Sequence, residues 1–374
     1  MTDPWVLRRA ILDRGIELGF SKIGLAPARL HDAAPRLQEW LERGYAGEMR
    51  YMGRSPDRRT DAGSSLRRAE TVVCCALNYY LGAPGPAPAN RGVISAYARG
   101  EDYHRVLGEK LDALARFIER RAGVVTRRYV DTGPLLEKTY AAAAGLGWLG
   151  KHSNLLSRDG SSWFFLGEIL VPLELPLDTP TPDHCGTCTR CIDACPTRAI
   201  VQPYVVDSRL CISYLTIELR GYIPRELRPL IGNRIYGCDD CQDVCPWNRF
   251  AKRSEEARFF PREPLSTMDL VSMLRMSREE FQQATRGSAI RRARYAGFLR
   301  NVAVALGNSG ATEAVPPLVQ ALSHEEPLVR GHAAWALGAL GADEASSELL
   351  DALGREEEAP VREEIQWALT ALAG

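Results

Sequence analysis

Eight of the ten cysteines of this chain lie between residues 185 and 245, and their spacing suits iron–sulfur chemistry. One run reads CGTCTRCIDACP from Cys185, a second reads CDDCQDVCP from Cys238, and Cys211 stands between them. The first run is the CxxCxxCxxxCP pattern of bacterial ferredoxins, in which three close thiolates bind one cubane and the fourth reaches the other. With the thiolates assigned in this way, the spacing predicts two 4Fe-4S clusters. One would be held by Cys185, Cys188, Cys191 and Cys245, and the other by Cys195, Cys211, Cys238 and Cys241.

Two other uses of these cysteines have to be weighed, namely structural zinc and disulfide bonds. Zinc sites take four ligands from two CxxC hooks on a long spacer, and zinc chemistry does not call for a third cysteine followed by CxxxCP. We therefore favour the iron–sulfur interpretation over both structural zinc and disulfide bonds. The remaining two cysteines, Cys74 and Cys75, lie in the apolar run TVVCCALNYY, which predicts a buried strand in which they are core thiols.

The composition is that of a cytoplasmic enzyme. The chain has 374 residues, enough for two or three domains, and its 47 basic and 47 acidic residues balance, so the overall charge indicates no partner. The first residues place arginines within an amphipathic pattern, unlike a secretory signal, and no stretch approaches the ~18–20 apolar residues of a membrane span. Cluster cysteines that must stay reduced agree with a cytoplasmic location.

Four regions follow along the chain. Residues 1–174 alternate helical periodicity with short apolar or β-branched runs, which predicts an α/β domain. Residues 175–250 form the ferredoxin-type domain with its two clusters, and 251–295 a basic connector. Residues 296–374 contain RNVAVALG, RGHAAWALG and REEIQWALT, whose Ala-Leu pairs are offset by 31 and 32 residues. A period of this length predicts HEAT-like pairs of α-helices, which more often bind than catalyse.

Basic residues are concentrated at the entrance to the repeats, although the total charge is zero. Five arginines lie within fifteen residues there: Arg286, Arg291, Arg292, Arg294 and Arg300. Such a basic saddle beside a redox domain suggests a phosphate-rich partner. A solvated surface is the simpler interpretation, and charge runs alone favour it.

Several longer sequence motifs together point to one protein family. The chain contains YARGEDYH (97–104), VDTGPLLEK (130–138), AGLGWLGKHSN (144–154) and GNRIYGCDDCQDVCPWN (232–248), together with the ferredoxin run and the terminal repeats. This combination closely resembles the epoxyqueuosine reductase family, cobalamin-dependent tRNA-modifying enzymes related to reductive dehalogenases. The resemblance covers nearly the whole chain. It implies reduction of epoxyqueuosine to queuosine at the wobble base of a tRNA with a GUN anticodon, by a monomer that receives electrons from an unidentified donor.

The resemblance also implies an N-terminal domain with a nitroreductase-like core that holds base-off cobalamin. In the family the aspartate of the VDTGP motif is the proton donor, which here is Asp131. Asp131 also suits a turn or the N-cap of the helix predicted to begin near Leu135, so a purely structural role stays open. The positions that match the family's cobalamin pocket are Arg59, Ser95, Asp131, Leu155, Leu166, Ser213 and Asp239. For Arg59, a surface arginine in a basic loop is an equally good interpretation. The expected tRNA contacts are Arg220, Lys252, Arg286, Arg291, Arg292 and Arg294.

Two further motifs are rejected. GLGWLG, from Gly145, fits GxGxxG but follows a helical run rather than a strand, and no acidic residue stands about 20 positions on, so a dinucleotide site is not expected. Asp102 and His104 resemble the start of the DxHxxG signature by which many cobalamin proteins offer a histidine to cobalt. Leu107 stands where the glycine should be, and we therefore expect no histidine ligand on cobalt.

Two rival classes of function stay open. A cobalamin-dependent reductive dehalogenase of a small organohalide would not need the basic repeat region. A ferredoxin-type electron carrier without its own catalysis would not need an N-terminal domain of over 170 residues. Corrin absorption and salt-sensitive tRNA binding would separate these classes.

Overall fold

The computed structural model describes residues 3–82, 85 and 88–373. Its strands are β1 (Lys22–Pro27), β2 (Thr71–Asn78), β3 (Val93–Ile94), β4 (Arg127–Tyr129), β5 (Trp148–Leu149), β6 (Leu155–Leu156), β7 (Phe164–Val171), β8 (Ile200–Gln202), β9 (Val205–Val206) and β10 (Arg234–Tyr236). Its α-helices are α1 (Pro4–Glu17), α2 (Ala34–Glu42), α3 (Pro56–Thr60), α4 (Tyr103–Ala122), α5 (Glu137–Ala143), α6 (Arg190–Asp193), α7 (Ile212–Ile217), α8 (Arg228–Ile231), α9 (Asp240–Asp243), α10 (Leu270–Leu274), α11 (Arg278–Ala284), α12 (Arg294–Gly307), α13 (Val315–Ala321), α14 (Pro327–Leu340), α15 (Ser346–Arg355) and α16 (Ala359–Ala373).

The chain divides into two compact units that exchange segments along the sequence. The first comprises the described residues of Met1–Gly82, Gly100–Asp207 and Asp240–Phe260, and the second those of Ala83–Arg99, Ser208–Asp239 and Pro261–Gly374. These units do not follow the four consecutive regions predicted above. The predicted ferredoxin-type region, 175–250, contributes to both units, because its middle segment packs with the helical repeats.

A four-stranded sheet in the order β1-β2-β7-β4 forms the centre of the first unit. The strand predicted in the run TVVCCALNYY is β2, which begins at the first residue of that run and ends two residues before its last. All of its pairings are antiparallel, so the rule that sites collect at the carboxyl ends of parallel strands does not apply here. Instead, the register places Tyr129, the last residue of β4, opposite Glu168 in the middle of β7.

The two faces of β7 are covered by different helices. Gly167 faces α4, where an added Cβ would lie 2.5 Å from the Leu111 side chain, so its lack of a side chain lets the helix pack closely. Side chains alternate along a strand, so Leu166, Glu168 and Leu170 share the opposite face. Leu166 and Leu170 pack there in a buried core with residues of α5 and β2, among them Tyr140, Ala141, Ala144 and Cys74.

The C-terminal helices of the second unit confirm the predicted repeats. The three sequence repeats fall on α12, α14 and α16, and the shorter α13 and α15 alternate with them. Helix α12 packs on α14, and α14 on α16. This stacking buries the Ala/Leu faces, as expected of helical repeats, each of which cannot cover its own apolar face.

Two adjacent polar residues clamp α12 to the segment around α7. The buried Arg300 guanidinium donates to the carbonyl oxygens of Leu215, Leu219 and Gly221, at 2.6, 3.0 and 2.7 Å. The Asn301 amide donates to the carbonyl oxygens of Thr216 (2.8 Å) and Ile235 (2.9 Å). Arg300 is therefore a structural residue and does not belong to the exposed basic group in which its sequence position placed it.

None of the helices within the described ranges is long and apolar enough to cross a membrane.

Candidate functional site

Asp131 lies in the loop between β4 and α5, with its backbone in the left-handed region at φ 54°. Few residues other than glycine adopt this conformation, and aspartate is among those that do so most readily. The Asp131 N–H donates a short hydrogen bond to the Glu137 carboxyl group. The Asp131 side chain is 58% exposed, so it is accessible from solvent.

The structure removes the alternative that Asp131 caps the following helix. Helix α5 begins at Glu137, its N-cap position is Leu136, and that position makes no side-chain capping bond. The turn is instead stabilised by close packing, since a Cβ on Gly133 would lie 2.5 Å from the ring of Tyr129. The loop therefore holds Asp131 away from α5, with its carboxylate directed elsewhere.

The Asp131 carboxylate faces His104, with Oδ2 3.4 Å from the imidazole Nε2. The opposite ring nitrogen, Nδ1, lies 2.7 Å from Asp102, which also caps α4. Burial lowers the pKa of His104, but the hydrogen bonds to Asp102 and Asp131 outweigh that effect and raise the pKa to about 9. His104 is consequently an imidazolium at neutral pH, positioned beside Asp131 by Asp102.

Glu137 and Glu168 complete the surroundings of Asp131, and sequence reasoning did not single them out. Burial, followed by the charge of Asp131, raises the pKa of Glu137 to about 8. Glu168 is fully buried, and burial together with Glu137 raises its pKa well above the usual range. The available signal was Glu168 itself, a carboxylate inside the otherwise apolar run FFLGEILV.

Four of the predicted cluster cysteines meet in the first unit. Cys185 and Cys245 pack in one apolar group with Trp148, Leu156 and Trp247. Burial raises the pKa of Cys245 to about 11, and Cys185, Cys191 and Cys188 lie close enough for their charges to add to the effect. The structure thus brings together the four thiols assigned to one cluster.

Lys151 fixes the loop that carries the first cysteines of this group. Within the described residues, no three His, Cys, Asp or Glu side chains are grouped so as to hold one metal ion. A 4Fe-4S cluster has each thiolate on a different iron, so its ligands stand farther apart than those of one ion. Lys151 donates to the carbonyl oxygens of Gly186 and Cys188, at 2.7 and 3.0 Å, which fixes the first cysteine loop and places a positive charge beside it.

The cysteines assigned to the other cluster are divided between the units. Cys195 and Cys241 belong to the first unit, and Cys211 and Cys238 to the second. Cys195 accepts a hydrogen bond from the Ala199 N–H at 3.2 Å, and Cys211 occupies the N-cap position of α7. Within the described residues no cysteine is in a disulfide bond, and Cys74 and Cys75 are buried in β2 as predicted.

The residues predicted for the cobalamin pocket are likewise divided. Arg59, Asp131, Leu155 and Leu166 lie in the first unit, and Ser95, Ser213 and Asp239 in the second. Within the second unit Ser95 and Asp239 are in contact, because the buried Ser95 hydroxyl donates to the Asp239 carboxylate. The same carboxylate accepts the Ala96 N–H at 2.7 Å.

Arg59 is buried, so it is not the surface arginine that one interpretation proposed. Its guanidinium donates to the carbonyl oxygens of Tyr51 (2.6 Å) and Met52 (3.1 Å), and burial lowers its pKa. Its own carbonyl oxygen accepts the N–H of Leu136 at 3.0 Å. Arg59 therefore anchors the end of the loop that carries Asp131.

The six residues predicted to contact tRNA differ in their exposure and in whether their charge is already paired within the protein. Arg286, Arg291 and Arg294 are exposed residues of the second unit, and Lys252 is exposed in the first. Arg292 forms a two-bond ion pair with Glu218, both bonds at 2.8 Å. Arg220 donates to the Arg292 carbonyl oxygen at 2.8 Å. The pairing with Glu218 offsets the charge that Arg292 would offer to a phosphate.

Three family models match the chain. They are described as "4Fe-4S double cluster binding domain" for residues 184–248, "Epoxyqueuosine reductase QueG, DUF1730" for residues 59–132, and "HEAT repeats" for residues 286–370. The first and third confirm the ferredoxin-like and helical-repeat parts of the predicted fold. Together they define the class of the protein, an iron–sulfur protein with 4Fe-4S clusters and a helical-repeat region.

Curated relatives give the family. Epoxyqueuosine reductase of Escherichia coli (strain K12) is 45% identical over 335 residues, covering 88% of this chain and 88% of that protein. The Pseudomonas aeruginosa protein of the same name is 45% identical over 345 residues, covering 89% of this chain and 94% of its own. At this identity over most of both chains, the chain belongs to the epoxyqueuosine reductase family.

Solved structures of epoxyqueuosine reductases are also similar to this chain over nearly its whole length. An epoxyqueuosine reductase in complex with a tRNA-Tyr epoxyqueuosine-modified stem loop superposes with a TM-score of 0.93 at 31% identity and covers all of both chains. The Bacillus subtilis enzyme, solved with its catalytic aspartate loop swung out of the active site, has a TM-score of 0.89 at 30% identity and covers 99% of this chain and 100% of its own.

Proposed function

We propose that this chain reduces epoxyqueuosine to queuosine at the wobble position of tRNAs with a GUN anticodon, with Asp131 as the proton donor. The observation that carries the proposal is the position of Asp131, accessible from solvent and held between His104 and Glu137 in a chain of this family. Removing the epoxide oxygen breaks two C–O bonds and forms a C=C bond. The reaction consumes two electrons and two protons and releases water.

The electrons enter through two 4Fe-4S clusters. Cys185, Cys188, Cys191 and Cys245 hold one, which is supported by their proximity in the first unit. Cys195, Cys211, Cys238 and Cys241 hold the other, an assignment that rests on the cysteine pattern and on the double-cluster match. The external donor belongs to the class of low-potential reductants, since ferredoxin-type clusters accept electrons from such partners.

Base-off cobalamin is the proposed cofactor, and the predicted pocket residues suit it chemically. Leu155 and Leu166 are apolar residues of the buried core, and the hydroxyl and carboxylate groups of Ser95, Ser213 and Asp239 would bind the amide side chains of a corrin. Arg59 would act chiefly by positioning the Asp131 loop through its carbonyl oxygen. Cobalamin, when bound, supplies low-valent cobalt for two-electron chemistry at the epoxide carbon.

The protein's own contribution is proton chemistry and positioning. His104 places a positive charge beside the Asp131 carboxyl group, and Glu137 fixes the backbone of the loop. A positioned acid beside the departing oxygen lowers the barrier because it neutralises the negative charge that develops there. The likeness of the α/β core to nitroreductases and the monomeric state remain predictions of the proposal.

The proposed tRNA contacts are Arg286, Arg291, Arg294, Arg292, Arg220 and Lys252. Exposed arginines bind phosphates through paired N–H donors, which fixes a stem loop without reading its sequence. Support comes from their basic character and from the relative that was solved with a tRNA stem loop. The wobble base itself would be recognised separately, by stacking and by contacts to its edges.

The direct test uses protein purified and reconstituted without oxygen, with cobalamin, iron, sulfide and a chemical reductant. Epoxyqueuosine-containing anticodon stem loop is the substrate, and nucleosides are analysed by mass spectrometry. We expect loss of one oxygen atom, giving queuosine, only when both cobalamin and reductant are present. An unchanged nucleoside with a protein that holds clusters and corrin would refute the proposal, and release of halide from organohalides would support the dehalogenase.

A further inference from the structure

The proposed reaction consumes two protons, yet a single aspartate carries one. The inference below rests on that function. When an anticodon loop covers the site, solvent is displaced from Asp131, so the second proton has to be stored in the protein near this residue. His104, an imidazolium in contact with the Asp131 carboxylate, is one such store. The structure contains a second, on the other side of Asp131.

Glu137 and Glu168 face each other across the interface between α5 and the sheet. Glu168 shares the face of β7 with Leu166 and Leu170, because side chains alternate along a strand. Glu137 lies one helical turn before Tyr140 and Ala141, on the same face of α5. Tyr140 and Ala141 pack against Leu166 and Leu170 in the buried core, so the two glutamates are aligned to meet.

Glu168 is an unpartnered carboxyl group in the core. It is 0% exposed, and neither of its carboxyl oxygens has a hydrogen-bond donor. A buried carboxylate with no donor is strongly unfavourable, because neither water nor a cation replaces its hydration. Two neighbouring carboxyl groups avoid this cost by sharing a proton, with the protonated group donating to the ionised one.

Among the described residues, the groups that act on this pair are mainly acidic or neutral. Glu137 and Asp131 act on Glu168, and both are acidic. From β2, Cys74 lies opposite Glu168 and Cys75 is the next residue along the strand; burial raises the pKa of both thiols, so they stay neutral. From α4, His104 acts on Glu137 more weakly than Asp131 does. Retention of one proton by the pair at neutral pH follows from burial and from this surrounding charge.

We propose that the Glu137–Glu168 carboxyl pair stores one proton and delivers it through Asp131 as the second proton of the reduction. The first proton passes from the His104 imidazolium to the Asp131 carboxylate and from there to the epoxide oxygen as the first C–O bond breaks. The pair then returns a proton to the Asp131 carboxylate, which transfers it to the same oxygen, so that water leaves as the C=C bond forms. The two electrons come from the clusters, and solvent restores the protons of His104 and of the pair after the product departs.

The contact between Glu137 and Asp131 gives this transfer a short path. The carboxyl group of Glu137, the first residue of α5, accepts the Asp131 N–H, which holds the Glu137 side chain against the backbone of the Asp131 loop. Asp131 lies between the two proton stores, with His104 on one side and the glutamate pair on the other. Glu137 and Glu168 are therefore positioning and proton-holding residues, while Asp131 is the residue that meets the substrate.

Storage is tested without turnover, by infrared spectroscopy of the purified protein. The wild type should show the C=O absorption of a protonated carboxyl group at pH 7. Glu168→Gln and Glu137→Gln should both lose this absorption. In each variant the introduced amide donates a hydrogen bond to the remaining carboxylate, which therefore stays ionised at pH 7. The control Glu119→Gln, the same change on α4 away from the pair, should keep it. Absence of the band from the wild type at pH 7 would overturn the proposal.

Delivery is tested by single-turnover rates as a function of pH on the anticodon stem loop. For Glu168→Gln we expect a loss of about tenfold to a hundredfold at pH 7.5 and recovery to within about threefold near pH 5.5, where the remaining glutamate regains a proton. A purely structural role would lower the rate equally at every pH and would contradict delivery. If Glu168→Gln fails to fold, the half-buried Glu137→Gln replaces it, with the same expected profile. If wild type does not reduce the substrate, the proposed function fails, whereas the infrared result still decides whether the proton is stored.

Discussion

The backbone carbonyl oxygen of Arg59 accepts the N–H of Leu136 at 3.0 Å, and this bond joins α3 to the end of the Asp131 loop. The Arg59 guanidinium is meanwhile bound to the carbonyl oxygens of Tyr51 and Met52. Removing the Arg59 side chain would leave both carbonyls without a partner and would loosen α3. An activity defect in an Arg59 variant therefore does not by itself demonstrate contact with a cofactor.

Asp131→Asn should lower turnover by about 10²- to 10⁴-fold, because the amide keeps the shape of the side chain but carries no transferable proton. Since the side chain is 58% exposed, we expect unchanged cluster content, cobalamin binding and tRNA affinity. The measurement is the single-turnover rate on the stem loop. Asp32→Asn, an exposed aspartate of the same unit, serves as the control. Activity of Asp131→Asn within a few-fold of wild type would exclude a proton-donor role.

His104 should make the stability of the protein depend on pH. Its pKa is raised from 6.5 to about 9 in the folded state, so its contribution is complete below pH about 6.5 and is lost as the pH rises through about 9. The difference in Tm between wild type and His104→Gln should therefore be largest near pH 6 and should shrink towards pH 10. The exposed His31→Gln should show no such trend. A difference that is constant with pH would mean that His104 is not charged in the folded protein.

Cys211→Ala should remove one cluster and spare the other, because no spare cysteine lies nearby to complete the set. Iron analysis should fall from about eight to about four atoms per chain. Cys75→Ala is the matched control, since this thiol is buried in β2 and should not affect iron content. A Cys211→Ala protein that keeps about eight irons would show that the ligand assignment is wrong.

Arg291→Ala and Arg292→Ala should differ in their effect on tRNA binding, although the residues are adjacent. Each arginine that contacts a phosphate contributes roughly 0.7 to 0.9 to the slope of log affinity against log salt. Arg291 should show such a change. Arg292 should show a smaller one, because Glu218 already occupies its guanidinium with two bonds of 2.8 Å. Equal slopes for both variants and the wild type would place the tRNA elsewhere.

Gly133→Ala should reduce activity with little effect on the clusters. A Cβ at this position would lie 2.5 Å from the Tyr129 ring, so the loop that carries Asp131 has to shift. We expect a loss of about tenfold or more in single-turnover rate, since small displacements of catalytic groups are costly. Gly354→Ala, where an added Cβ meets no atom within 4 Å, is the control. Unchanged activity in Gly133→Ala would show that the loop tolerates the displacement.

Local patterns were enough to predict much of this molecule. The strand around Cys74 and the repeats at α12, α14 and α16 each carry their own periodicity, and the structure confirms them. The grouping of Cys185, Cys188, Cys191 and Cys245 followed from ferredoxin spacing.

The contacts around Asp131 could not be predicted in the same way. Glu168 meets Tyr129 only because β4 and β7 pair in antiparallel register, and no local pattern specifies which strands become neighbours. The burial of the Arg59 side chain depends on which backbone carbonyl groups the fold leaves without other donors. The family resemblance singled out Asp131 through its motif, whereas the contacts of Asp131 with His104, Glu137 and Glu168 depend on tertiary structure.

The clamp formed by Arg300 and Asn301 determines where this protein can be shortened. A chain that stopped before α12 would leave the carbonyl oxygens of Leu215, Leu219, Gly221, Thr216 and Ile235 without these donors. Loss of α12 would also expose the apolar surface of α7 and β10 on which it packs, so hydrophobic burial would be lost together with these hydrogen bonds. Helix α7, which begins directly after Cys211, would be the first element to lose support. Residue 296 is thus a boundary of sequence pattern but a poor site for truncation, domain exchange or fusion.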